Sequence, residues 1–187
     1  MSNPYINTSF KTQVKLRPDQ AGNDILINLK NNLVDKLEGK CFRNHGYIVK
    51  IFSIENCSDG YISSDNGYSP TIYNITFNCR LCYVAIGTQI ICEIEKITEE
   101  LIRLINGPIR IFVTNDRLNK SIFFIDNNSN IRLKENSQKL TNKDFVKVTI
   151  QSSLFEHGNT AIVCLGFIDN VATDKEVKDY YNNLYDT

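Results

Sequence analysis

The chain has no tryptophan, only two histidines and no net charge, its 21 Lys and Arg residues being matched by 21 Asp and Glu. Each shortage excludes something. A nucleic-acid binder that relies on counterion release carries a basic surplus, so any polynucleotide contact here is expected to be local, weak or assisted by partners. His45 and His157 both stand beside a glycine in turn-like stretches, without a Ser, Cys or carboxylate arrangement that would make either a general base. No window approaches the roughly 18 consecutive apolar residues that cross a bilayer, and the first residues lack a basic region followed by an apolar run. The chain reads as soluble and intracellular, with no membrane partner.

Metal and redox chemistry are equally short of ligands. The six cysteines, Cys41, Cys57, Cys79, Cys82, Cys92 and Cys164, lie in apolar, strand-like contexts without the spacing of a disulfide framework, and read as reduced core thiols. Cys79-Arg80-Leu81-Cys82 is a CxxC, but structural zinc needs a second pair, and a redox motif would open a helix rather than lie inside a strand. Glu93, Glu95, Glu99 and Glu100 have no phosphate-binding glycines or Walker motif near them and read as a solvated edge. No catalytic constellation, metal or cofactor is expected. Asn, Ile, Lys, Tyr and Phe are abundant instead, a bias that fits translation of an AT-rich genome, whether of an organism or of a large DNA virus.

A run of 187 residues accommodates two small domains. Residues 5–16 alternate loosely as a strand that Pro18 terminates. Ile25, Leu26, Leu29, Leu33, Val34 and Leu37 form the apolar stripe of a helix packed on a sheet, with Asn23 or Asp24 as its N-cap and Gly39 as its stop. A buried strand follows from Gly46 to Ile54, then a stretch dense in turn formers, then a returning strand over 72–85. Gly87 marks the boundary. Beyond it, short β runs at 88–97, 100–105, 109–114, 121–126, 145–150 and 161–168, without a long helix between them, suggest a small barrel of the OB type. Thr173 and Glu176 form a capping box, and Val177, Tyr180, Tyr181 and Leu184 share one face of a short C-terminal helix.

Two surfaces are candidates for binding. The turn-rich tip displays Tyr61, Ile62, Tyr68 and Pro70, a docking surface or else scattered exposed aromatics. On the barrel, alternation sends Arg110 and Phe112 outward from one strand and Phe145 and Lys147 outward from another. Rings and cations interleaved on one face are what single-stranded RNA needs; alternatively the two phenylalanines cover a barrel end or meet the first domain.

The same residues carry a family resemblance. Glu38-Gly39-x-Cys41, four residues, then Gly46-Tyr47-Ile48 resembles a junction in the stalk subunit of multisubunit DNA-directed RNA polymerases, a family that includes subunit seven of eukaryotic polymerase II and its archaeal counterpart. Val14-x-Leu16-x-Pro18, Gly60-x-Ile62 with Asn66-Gly67, Tyr73-Asn74-Ile75-x-Phe77 and the block Gly107 to Thr114 resemble further family segments in the family's order. The likeness runs over about residues 8–170; the stretch 121–143 matches only in length and polarity, and the C-terminal helix is an addition. The resemblance implies an α+β protein: residues 1–86 a truncated RNP-like tip domain, an antiparallel sheet with one packed helix; residues 87–170 an OB-fold barrel; residues 171–187 a helical extension. It implies a noncatalytic subunit that docks through the tip on core polymerase subunits, including the largest, and guides nascent RNA, with or without a small stalk partner resembling subunit four. Its expected place is the host cytoplasm and virion if viral, the nucleus if cellular. The rival readings are a free-standing OB-fold RNA-binding or translation-type factor, and a protein-interaction module without RNA.

Overall fold

A computed structural model describes residues 3–22, 24–62, 70–126 and 130–185. Strand β1 (Tyr5–Leu16) leads through a 3-10 turn at Pro18–Gln20 into α1 (Ile25–Leu37). Leu29, Leu33 and Leu37, at i, i+4 and i+8, are fully buried, as a helix with one apolar stripe requires. Leu26 departs from the expected stripe. A helical residue is turned about 100° from its neighbour, so beside Ile25 it points away from the sheet, and it is 62% exposed. Asn23, the other expected cap, lies outside the described residues, and Asp24 makes no side-chain cap bond.

The helix stops where the glycine predicts. Gly39 takes φ +76 and its N–H bonds the Ile48 carbonyl, while the Glu38 carboxylate accepts the Ile51 N–H. The chain then forms a short strand that the sequence did not announce, β2 (Lys40–Phe42), and a tight hairpin into β3 (Gly46–Cys57). Gly46 is required here. Its φ is +137, and a Cβ would stand 2.4 Å from the Cys82 carbonyl oxygen. Strand β4 (Tyr61–Ile62) and the long β5 (Thr71–Cys82) complete an antiparallel sheet of order β1-β5-β3-β2, with β4 on β5. Val14, Leu16, Ile48, Ile51, Ile75 and Phe77 meet the α1 leucines in its core.

The barrel is built from β6 (Gln89–Ile97), β7 (Leu101–Asn106), β8 (Ile109–Thr114), β11 (Phe145–Leu154) and β12 (Ile162–Val171). A three-strand meander is followed by two strands that return, so that β12 pairs β8 in parallel and β11 closes on β6. That connectivity is the OB-fold. Ile102, Leu104, Ile109, Ile111, Val113, Val146, Val148 and Ile150 fill the interior. Gly166 leaves them room, since a Cβ there would press to 2.5 Å on the Val148 side chain. The run expected as a strand at 121–126 is not a barrel stave. It forms β9 (Phe123–Ile125), paired among the described residues only with β10 (Ile131–Leu133), because three residues with one buried ring are too short to cross the wall. Helix α2 (Asp174–Tyr185) follows the last strand.

The chain divides into two compact units, Tyr5–Cys82 with Glu156–Thr160, and Tyr83–Phe155 with Ala161–Thr187 and Met1–Pro4. Among the described residues no helix is long and apolar enough to cross a membrane. All six cysteines are free thiols and five are buried. Burial raises Cys79 to about 11 and Cys164 to about 12, and burial first, then the Cys164 charge, raises Cys92 well above the ordinary thiol value. Protonated thiols of this kind are poor ligands and poor nucleophiles.

Candidate docking and nucleic-acid surfaces

At the tip, β4 is held to β5 by two residue pairs, Tyr61 opposite Ile72 and Ile62 opposite Thr71. Gly60 permits this approach, because a Cβ would come within 2.5 Å of the Thr71 methyl and 2.6 Å of the Tyr73 ring. The result displays Tyr61 at 45% and Ile62 at 68% exposure, with Gln13 Nε2 donating to the tyrosine hydroxyl at 3.2 Å. Pro70 is half-buried, and Tyr68 lies outside the described residues. Two apolar residues that the helical pattern assigned to the core or passed over join this end of the sheet. Leu26 and Ile27, the latter 59% exposed, line an open groove of ≈ 390 Å³ with Lys30, Ile54 and Cys57 where β3 runs out.

On the barrel, the four candidate residues fall into two pairs that do not share a face. Strands β8 and β11 are not neighbours: β12 lies between them on one side, β7 and β6 on the other. In a ring of five strands that separation is the greatest possible. Alternation shows which side chains leave the wall but not which strands adjoin, and the expected single face does not form.

Arg110 and Phe112 stand beside exposed apolar residues. Parallel register sets Val163 against Arg110 and Leu165 against Phe112, and antiparallel register sets Leu154 against Val163. Leu154, Val163 and Leu165 are 67%, 40% and 42% exposed. The signal was present in the run Ile162-Val163-Cys164-Leu165, apolar on both faces of one strand.

Phe145 and Lys147 are covered by α2. The Phe145 ring lies edge-on to Tyr180 and Tyr181, with centroids 5.2 and 5.7 Å away, and Tyr180 is buried. Lys147 Nζ meets Glu176 Oε1 at 2.6 Å, while Glu176 Oε2 accepts the Thr173 N–H that opens the helix. Partial desolvation pushes this carboxyl upward, but the bonds from Lys147 and Thr173 outweigh it and hold the group below its ordinary value.

Cys79 and Cys82 lie within β5, and among the described residues no three His, Cys, Asp or Glu side chains are placed to hold a metal ion. A sheet-and-helix module with an apolar tip, followed by an OB barrel with exposed apolar residues on one wall, defines the α+β class of this fold. The family likeness then sharpens it. Residues 11–67 match the SHS2 domain found in the N terminus of Rpb7p/Rpc25p/MJ0397. Over 182 residues the chain is 29% identical to a protein of Acanthamoeba polyphaga mimivirus provisionally described as a DNA-directed RNA polymerase subunit, covering 96% of this chain and 89% of the relative. It is 23% identical over 173 residues to DNA-directed RNA polymerase II subunit RPB7 of Glycine max, and 21% over 167 to that of Dictyostelium discoideum. Each of these covers 88% of this chain, with 92% and 94% of the respective relative. The resemblance to polymerase stalk subunits is borne out, and it extends over both units.

Proposed function

We propose that the chain is a noncatalytic stalk-type subunit of a DNA-directed RNA polymerase, docked on the core enzyme by its tip and presenting its barrel to the transcript. The observation that carries this reading is the reach of the likeness: the polymerase-subunit relatives align across 88% of the chain or more, over the sheet-and-helix module and the barrel alike. At the tip, Tyr61 and Ile62 with Leu26 and Ile27 give the apolar anchors that an interface hot spot uses. On the barrel, the half-buried Arg110 and Phe112 are the cation and ring left for single-stranded RNA, whereas α2 already holds Phe145 and Lys147.

A tagged chain purified from its native cell tests the reading. Core polymerase subunits identified by mass spectrometry support it; their absence leaves a free-standing OB-fold factor. Within the assembled enzyme, Arg110→Glu is expected to lower crosslinking to nascent RNA without releasing the subunit.

A second reading of the barrel has its own support. Leu154, Val163 and Leu165 make the wall around Phe112 apolar, which suits a protein such as a small stalk partner better than a phosphate backbone. Unchanged crosslinking in Arg110→Glu, with a co-purifying small protein lost from Leu165→Asp, selects this alternative.

A further inference from the structure

Helix α2 lies on the outside of the barrel, over a strip that neither the tip nor the wall around Phe112 uses. Residues paired across an antiparallel ladder project to the same side, so the pairs Ile91–Lys147 and Glu93–Phe145 share the outer face of β6 and β11. Ile91 is nonetheless only 7% exposed, because α2 packs against β6. Its chain neighbours Ile90 and Cys92 face the barrel interior, which leaves Ile91 and the Phe145 ring as an apolar seat on the outside. Lys147 closes one side of it and takes the Glu176 carboxylate.

The occupant of this seat is lightly held. Of the α2 side chains described, Tyr180 alone is buried, Glu176, Val177, Asn183 and Leu184 are half-buried, and the rest are exposed. A helix of 12 residues is at the length where isolated helices are marginal in water, and Asn182 and Asn183 are weak helix formers. Undocking and melting of α2 therefore form one step of low free energy. Residues 172–173 tether the helix through this step, with the Ala172 N–H on the Phe145 carbonyl.

The charges of the strip decide what else fits it. Glu93 stands opposite Phe145, and at the next outward pair Gln89 and Thr149 both donate to the Asp169 carboxylate. Two carboxylates beside the Lys147 ammonium repel a phosphate backbone, whereas a helix that brings rings to Phe145 and one carboxylate to Lys147 satisfies the seat, as α2 does. We propose that Ile91, Phe145 and Lys147 form a docking seat for an amphipathic helix of another protein, one with a carboxylate four residues before a pair of aromatic rings, and that α2 occupies the seat in cis until such a helix displaces it. This exchange is a property of the barrel whether or not the chain joins a polymerase.

The probe is a fluorescein-labelled peptide of residues 173–185, held helical by a lactam between Lys175 and Asp179, which are exposed and one turn apart. It is titrated into the purified full-length chain, either wild type or opened by Glu176→Ala with Tyr180→Ala. Anisotropy is expected to show saturable binding to the opened chain and about tenfold weaker binding to wild type, whose tethered helix competes. Lys147→Glu in the opened chain is expected to weaken the peptide about tenfold, and a peptide carrying Glu176→Lys to restore binding, which a merely structural defect does not reproduce. No saturable binding to an opened chain that still melts cooperatively overturns the proposal. Equal binding by wild type and opened chain does the same, since the peptide then sits elsewhere. Displacement by single-stranded RNA as effective as by unlabelled peptide also overturns it and makes the strip a polynucleotide site. If the opened chain does not fold, hydrogen exchange in wild type decides: α2 amides are expected to exchange about a hundredfold faster than those of β11, and exchange of both only on global unfolding overturns the proposal. Each of these results leaves the polymerase assignment intact, because co-purification tests that separately.

Discussion

Leu33 and Leu26 occupy the same helix and make opposite predictions. Leu33→Ala removes methyl groups from a site with 0% exposure and is expected to cost about 2 to 5 kcal/mol, read as a lowered melt of the N-terminal unit. Leu26→Ser, at 62% exposure, is expected to change stability by less than about 0.5 kcal/mol, and to weaken docking if the tip groove is an interface. A melt unchanged in Leu33→Ala contradicts the burial of this side chain between helix and sheet. The period-3.6 pattern made Leu29, Leu33 and Leu37 legible as core, but six apolar residues offered two ways to draw the stripe, and only the sheet beneath the helix decides between them. Gly46→Ala belongs to the same scale. Its left-handed backbone alone costs about 1 to 3 kcal/mol, and the 2.4 Å approach to Cys82 adds a clash, so the variant is expected to lose the fold of the unit as seen by near-UV circular dichroism.

Among the elements, α2 was legible from its cap and its apolar face, yet what it packs against was not, because Lys147 and Glu176 meet only once β11 has closed the barrel. The sign of its pH dependence follows from Glu176. A carboxyl whose folded value lies below its unfolded one contributes stability that is full above the unfolded value and is lost as pH falls through the folded one. Hydrogen-exchange protection of α2 is therefore expected to be constant at neutral pH and to fall on acidification below the ordinary carboxylate range of about 4.3. Glu176→Gln is expected to show the weaker protection at neutral pH already. Protection that ignores both pH and this substitution means that the Tyr180 and Tyr181 contacts alone hold the helix. Strand β2 shows the opposite case, an element that local sequence does not announce. Three residues are too few to show a period of two, and while Ile48 faces them across a local hairpin, Asn159 on the other edge comes from far along the chain.

For the molecule as a whole, the sheet-and-helix module and the OB barrel were both legible, since turn residues and alternating runs mark one strand after another. The barrel's binding face was not. Inward and outward positions follow from a period of two, whereas neighbourhood follows from the parallel crossover that sets β12 against β8 and separates Arg110 from Lys147. Arg110→Glu and Lys147→Glu are therefore different probes. The first changes an open wall, while the second sets two carboxylates face to face and is expected to loosen α2, seen as faster proteolysis of the C-terminal segment. Polymerase membership through the tip is read in the composition of the purified polymerase, measured by quantitative mass spectrometry. Wild-type chain is predicted to be present in stoichiometric amount, and Tyr61→Ala with Ile62→Ala to be folded but absent from the enzyme. Polymerase that lacks the wild-type chain contradicts the assignment, and full retention of the double variant contradicts docking through the tip.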